Sequence, residues 1–157
     1  MNIVLHEPEI PQNAGNIGRS CVAAGARLHM IRPFGFTIDE KRLRRAGMDY
    51  WFSLDVTYYD NYEHFMAANK PASLFFATTK ASRLYTEAAY PDDAFIMFGK
   101  ESAGIPEAIL AGGAGQPVRI PMRGGVRSLN LSSSVAVILF EAMRQNGFRG
   151  MVRGEKF

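Results

Sequence analysis

A chain of 157 residues, 47% hydrophobic and 21% charged, has the size and balance of one globular domain that buries roughly 70% of its unfolded surface. Eighteen Lys and Arg against fifteen Asp and Glu leave a net charge of only +3, so affinity for an anionic partner depends on where the cations stand. The single cysteine, Cys21, excludes an internal disulfide and a cysteine-based zinc site, and no apolar run reaches the length of a membrane span.

The opening residues MNIVLHEPE have neither the basic start nor the apolar core of a secretion signal. His6, His29 and His64 lie too far apart for the short spacings of metal ligands. A soluble, cytoplasmic protein without metal and without membrane contact is expected.

Ile3, Val4 and Leu5 form a short apolar run that predicts a buried strand. The polar residues that follow lead into a helix with Asn13 as N-cap and Gly25 as stop. Ala14, Gly15 and Gly18 let a neighbour come close to that helix, and a packed element would use the space as readily as a ligand. Residues 28–31 predict the second strand, closed by Pro33. Residues 37–40 have capping-box spacing and introduce a helix over 41–46. That helix carries Lys41, Arg42, Arg44 and Arg45, and the aromatics Tyr50, Trp51 and Phe52 come shortly after. A solvated helix face would look the same, but cations beside aromatic rings are also what RNA backbone contact and base stacking need.

Residues 56–59 and 73–78 predict the next strands, with a helix over 62–68 capped by Asp60 between them. Phe95, Ile96, Met97 and Phe98 read as the most buried strand. A polar loop from Gly99 to Pro106 follows, then a short helix over 107–110. Val118, Arg119 and Ile120 end a further strand, stopped by Pro121. A loop with Arg123 and Arg127 leads to Ser128 or Asn130, either of which can cap a helix reaching Gln145.

That last helix is uncharged from Leu131 to Phe140. Val135, Ile138, Leu139, Ala142 and Met143 make one apolar stripe, and Val137 and Phe140 lie off it. One core does not cover both, so a homodimer through this helix is expected. Strands alternating with helices predict an α/β fold with a mostly parallel sheet covered on both faces. Its ligand site belongs outside the carboxyl ends of the strands, where Thr78, Gly99 and the loop after Ile120 would meet. The domain is expected to span residues 1–150, with 151–157 a basic tail.

The G-x-G-x-x-G, P-loop and G-x-S-x-G patterns are missing, which removes the common dinucleotide, nucleotidase and hydrolase readings. Three polar loops remain: PQNAGNIGR, FGKESAGIP and IPMRGGVRSLNLSSSVAVILFE. In this order they resemble the three signature motifs of the SpoU-class (SPOUT) RNA 2′-O-methyltransferases, over the whole chain. The short length, with LRRAGMDYW after the second strand, resembles the small members that act on the wobble ribose of tRNA. Larger relatives commonly place Glu before the Ser-Leu-Asn of the last motif, where this chain has Arg127.

The resemblance implies a deep trefoil knot in the C-terminal part and S-adenosylmethionine as cofactor, with S-adenosylhomocysteine as product. It implies cofactor contacts at Ala77, Thr78, Gly99, Glu101, Ile120, Met122, Ser128 and Leu129. It also implies catalytic parts for Arg19, Ser128 and Asn130, with Glu101 fixing the first motif. Lys41, Arg42, Arg44, Arg45, Arg123 and Arg127 would bind RNA. The expected reaction is 2′-O-methylation of position 34, cytidine or modified uridine, in the anticodon loop of tRNA. The competing expectations are the same chemistry on another tRNA position or on ribosomal RNA, and a knotted RNA-binding module without turnover.

Overall fold

The structure, a computed structural model, describes residues 1–37, 49–152 and 154. The expected helix over 41–46, with Lys41, Arg42, Arg44 and Arg45, lies outside the described residues. The apolar runs form β1 (Asn2–His6), β2 (Arg27–Ile31), β3 (Val56–Tyr59), β4 (Leu74–Ala77), β5 (Phe95–Phe98) and β6 (Gln116–Val118). They pair in the order β3-β2-β1-β5-β4-β6, and every pairing is parallel. All five residues of β1 are buried, as expected for a central strand covered on both faces.

Pro117 stands inside β6, where it removes a ladder donor, and β6 is an edge strand. β6 stops at Val118, two residues before the predicted end. Arg119 pairs instead with the segment before a short 3-10 turn, taking hydrogen bonds to Arg83 and Tyr85.

Four α-helices are described: α1 (Pro11–Ala24), α2 (Tyr62–Asn69), α3 (Glu107–Ala111) and α4 (Leu131–Gln145). α1 starts two residues before the predicted Asn13 cap. Pro11 occupies its first turn, where a missing N–H is no loss, and the N-cap residue Ile10 offers no side-chain bond. Gly25 ends α1 at φ 64°. α2 is capped by Asn61, whose Oδ1 accepts from the His64 amide at 2.7 Å, and the predicted Asp60 pairs with Arg32 at 3.2 Å instead. At α4 the choice between Ser128 and Asn130 falls to Asn130, which accepts from the amides of Ser132 and Ser133.

α1 and α4 pack together on one face of the sheet, where Ile17, Cys21, Val135, Ile138 and Leu139 are buried. The small side of α1 is filled by protein: a Cβ on Gly18 would lie 2.9 Å from the Trp51 ring. Trp51 is therefore a core residue, 8% exposed, which removes it from the aromatics that could stack on RNA bases. α2 covers the other face, with Phe65 against Val4, Tyr59, Phe76 and Met97. α4 buries the predicted stripe and leaves Val137 and Phe140 about 40% exposed.

His29 sits under α2 with both ring nitrogens engaged, Nδ1 with the Tyr59 hydroxyl at 2.8 Å and Nε2 with Asn2 Oδ1 at 3.2 Å. Burial pushes its pKa down from 6.5 to about 4. The unfolded chain therefore binds the proton more tightly than the folded one. Stability from this group is complete above pH 6.5 and is lost as pH falls toward 4, a change of about 3 kcal/mol. Urea titrations across that window should show the decline, and His29→Gln should flatten it.

Candidate active site

In a parallel α/β sheet ligands bind outside the carboxyl ends of the strands. Here a cavity of about 660 Å³ lies beyond the carboxyl ends of β4, β5 and β6. Such a volume suits a small-molecule ligand.

The loops after β1 and β5 clasp each other through charged groups. Glu101 accepts from the amides of Glu9 at 2.8 Å and Ile10 at 3.3 Å, and from Asn13 Nδ2 at 2.9 Å. The carboxylate thereby satisfies donors at the start of α1, where a helix favours negative charge. In the other direction Glu9 accepts from the Ser102 amide at 2.9 Å and its hydroxyl at 2.8 Å. Those two bonds hold the Glu9 carboxyl below the usual carboxylate range. Lys100 Nζ lies 2.9 Å from Glu7 Oε2, which raises the lysine pKa.

Asn13 carries the chain of contacts further. Its Oδ1 accepts from Asn130 Nδ2 at 3.0 Å, and Asn130 Oδ1 caps α4. The side chain expected to cap α1 is buried between Glu101 and Asn130 and joins all three motifs. Truncating Glu101 to Ala leaves three donors without their acceptor. The expected loss is about 2 kcal/mol in urea denaturation, with weaker ligand binding because the clasp borders the cavity. A variant as stable as wild type would show the clasp to be incidental.

Gly99 stands where the backbone doubles back. A Cβ there would overlap the Gly104 carbonyl carbon and the Ile105 amide, so the crowding comes from the chain itself. The resemblance implies a cofactor contact at Gly99, and its nearest constraint is the turn that shapes the cavity wall.

Ala77, Thr78, Gly99, Glu101, Ile120, Met122, Ser128 and Leu129 all line this one cavity, together with Asn130 and Arg127. Arg19 is exposed on α1 and is not among the lining residues, nor is Arg123. Ile10, Asn13, Ser134 and Ile138 also line it and were missed, because nothing local in the sequence marks them as wall residues. Residues 123–130 are exposed throughout, so the last motif meets solvent on one side and the cavity on the other. Among the described residues no group of three His, Cys, Asp or Glu could hold a metal ion. Among the same residues no helix is long and apolar enough to cross a membrane.

A parallel α/β sheet with a cavity walled by three loop motifs defines the class. The model of the SpoU rRNA Methylase family matches residues 1–140, and the chain belongs to that family. The chain is 49% identical to the tRNA (cytidine(34)-2′-O)-methyltransferase of Escherichia coli K12 over 153 residues, covering 97% of this chain and 98% of that one. A solved structure described as giving structural insights into the 2-OH methylation of C/U34 on tRNA matches with a TM-score of 0.87 and 42% identity, covering 94% of this chain and 97% of the other. An AdoMet-bound rRNA methyltransferase from Sinorhizobium meliloti matches with a TM-score of 0.78 and 30% identity, covering 91% of this chain and 55% of that one.

Proposed function

We propose that this protein transfers a methyl group from S-adenosylmethionine to the ribose 2′-oxygen of wobble position 34, cytidine or modified uridine, in tRNA. The observation that carries the reading is the single cavity in which residues of the second and third motifs meet, pinned to the first motif through Asn13. The lining fits the cofactor: apolar Ile120, Leu129 and Ile138 suit a flat base, and the loops after β4, β5 and β6 offer backbone donors and acceptors. Ala77, Thr78, Gly99, Glu101, Ile120, Met122, Ser128 and Leu129 would hold it. When bound, S-adenosylmethionine supplies a methyl group activated on a sulfonium.

The protein's own part is positioning and charge. In-line transfer needs the ribose oxygen held against the cavity mouth, and alignment of that kind supplies much of the rate. Ser128 and Asn130 orient the loop of the last motif and, from its exposed side, the ribose. Arg19, a permanent cation, grips the target phosphate and stabilises negative charge developing on the 2′-oxygen. The phosphate or solvent takes the proton. Arg123 and Arg127, with Lys41, Arg42, Arg44 and Arg45, neutralise RNA phosphates, so binding weakens steeply with salt.

The same reading includes the C-terminal knot, one domain over residues 1–150 with a basic tail at 151–157, a cytoplasmic location, and no metal. The path from β5 across β4 to β6, and back to pack α4 on α1, supports the knot. Exposed Val137 and Phe140 support a homodimer through α4. Sedimentation at micromolar concentration is expected to give twice the chain mass of 17.4 kDa, and a stable monomer would overturn the dimer.

The substrate test gives purified protein a tRNA and tritiated S-adenosylmethionine in chelator, with the label mapped by nuclease digestion. Label at position 34 is expected. Label at another tRNA position or only in ribosomal RNA would replace the target and keep the chemistry. RNA binding without cofactor binding would leave a knotted module without turnover.

A further inference from the structure

Arg32, Phe34 and Phe36 follow β2, and Tyr58 sits near the end of β3. In a parallel sheet they leave from the same edge as the loops around the cavity. The rings of Phe34 and Phe36 stack with centroids 5.9 Å apart and planes 21° apart, and Tyr58 lies 6.0 Å from Phe34. The Arg32 guanidinium stands 5.6 Å from the Phe34 centroid and 5.8 Å from that of Tyr58. Its side chain is 50% exposed, while the three rings are half-buried with their inner sides on the core.

Gly35 fixes this group to the segment that leads from β1 into the first motif. Its amide donates to the Pro8 carbonyl at 3.0 Å, and a Cβ there would lie 2.7 Å from the Glu9 Cα. Glu9 is itself bonded to Ser102 and Glu101 at the cavity wall. The aromatic group is therefore held at a set distance from the cavity by backbone packing, on no long flexible arm.

A guanidinium within about 6 Å of aromatic rings offers, with them, a surface for the π-face of a nucleobase. Asp60 lies 3.2 Å from Arg32 and already matches its charge. A phosphate would meet that carboxylate, whereas an uncharged base would not. We propose that Arg32, Phe34, Phe36 and Tyr58 form a stacking site for an unpaired base of the RNA substrate, next to the nucleotide whose ribose is methylated. The proposal rests on the RNA methyltransferase reading and adds to it a place for a neighbouring base.

The test uses the full chain and an anticodon stem–loop RNA carrying 2-aminopurine singly at each loop position. Wild type should quench the probe strongly at one position. Phe34→Leu, which keeps the apolar packing and removes the ring, should lose that quench and weaken RNA binding about tenfold, and Phe34→Trp should keep both. Arg32→Lys keeps the Asp60 pair, loses the planar group, and should weaken binding several-fold. Because Arg32 is an exposed side chain, this variant decides the matter should Phe34→Leu lower the melting temperature. Cofactor affinity should be unchanged in Arg32→Lys, and the slope of log K against log salt should be unchanged in Arg32→Gln, which removes the charge.

Quench and affinity like wild type in both variants would overturn the proposal. A salt slope lowered by about one in Arg32→Gln, which removes the cation, would overturn it in favour of a phosphate contact. A shift of the oligomer in Phe34→Leu would overturn it in favour of a protein contact. If wild type quenches at one ring-dependent position but methylates no RNA, the stacking site stands and the enzymatic reading falls.

Discussion

Arg19→Ala is expected to lower methylation about 10²- to 10³-fold while leaving cofactor affinity within a factor of about three. The expectation follows from where the side chain stands. It is exposed on α1, and the cavity lining does not include it. On the proposed reading a cation outside that cavity acts on the RNA, by holding a phosphate and by stabilising charge that develops on the attacking oxygen. Removing it takes away an interaction that strengthens in the transition state, so turnover falls more than binding does. Arg19→Lys keeps the charge and loses the planar fork, and should recover only part of the rate. Methylation of tRNA under single-turnover conditions, with titration calorimetry of S-adenosylmethionine, measures both quantities. Equal loss of both would move Arg19 to the cofactor.

Gly99→Ala is expected to act in the opposite way, removing cofactor binding and destabilising the fold together. The added methyl meets the backbone of Gly104 and Ile105, which has no rotamer to change, so the turn must open. Ile105 is 3% exposed, and opening the turn pulls it from its place beside Met97 and Phe65. A cost of about 3 kcal/mol is expected, or a melting temperature lower by about 10 °C for a chain of this size. Ser128→Ala is the contrast. Ser128 is exposed and lines the cavity, so cofactor affinity should fall with the melting temperature unchanged. Thermal denaturation of both variants with and without S-adenosylmethionine separates the two cases. A Gly99→Ala protein that melts like wild type would show that the turn relaxes freely.

The order of strands and helices was legible because each buried strand is an apolar run and each helix has a cap or a stop near its ends. The motif loops could be placed at the carboxyl ends for the same reason. Side chains whose partners are remote could not be read. Asn13 has the sequence of an N-cap, but Glu101 and Asn130 claim it from 88 and 117 residues away. Trp51 follows a run of cations, which left base stacking open as one reading, but the notch at Gly18 takes it into the core. Arg32, Phe34 and Phe36 show no periodicity, and the group they form is completed by Tyr58 from another strand. Which cofactor the cavity takes was not written in patterning at all, and came from the resemblance of three motifs to a family.

The bond between Asn13 and Asn130 ties the first helix to the last across most of the polypeptide. A growing chain that stops short of residue 130 keeps the Glu101 contacts of its first motif but lacks the Asn130 bond and one wall of the cavity. Such a contact closes a loop of more than a hundred residues before it can form. A nascent chain is therefore expected to gain a complete cavity only once its final segment has left the ribosome and docked.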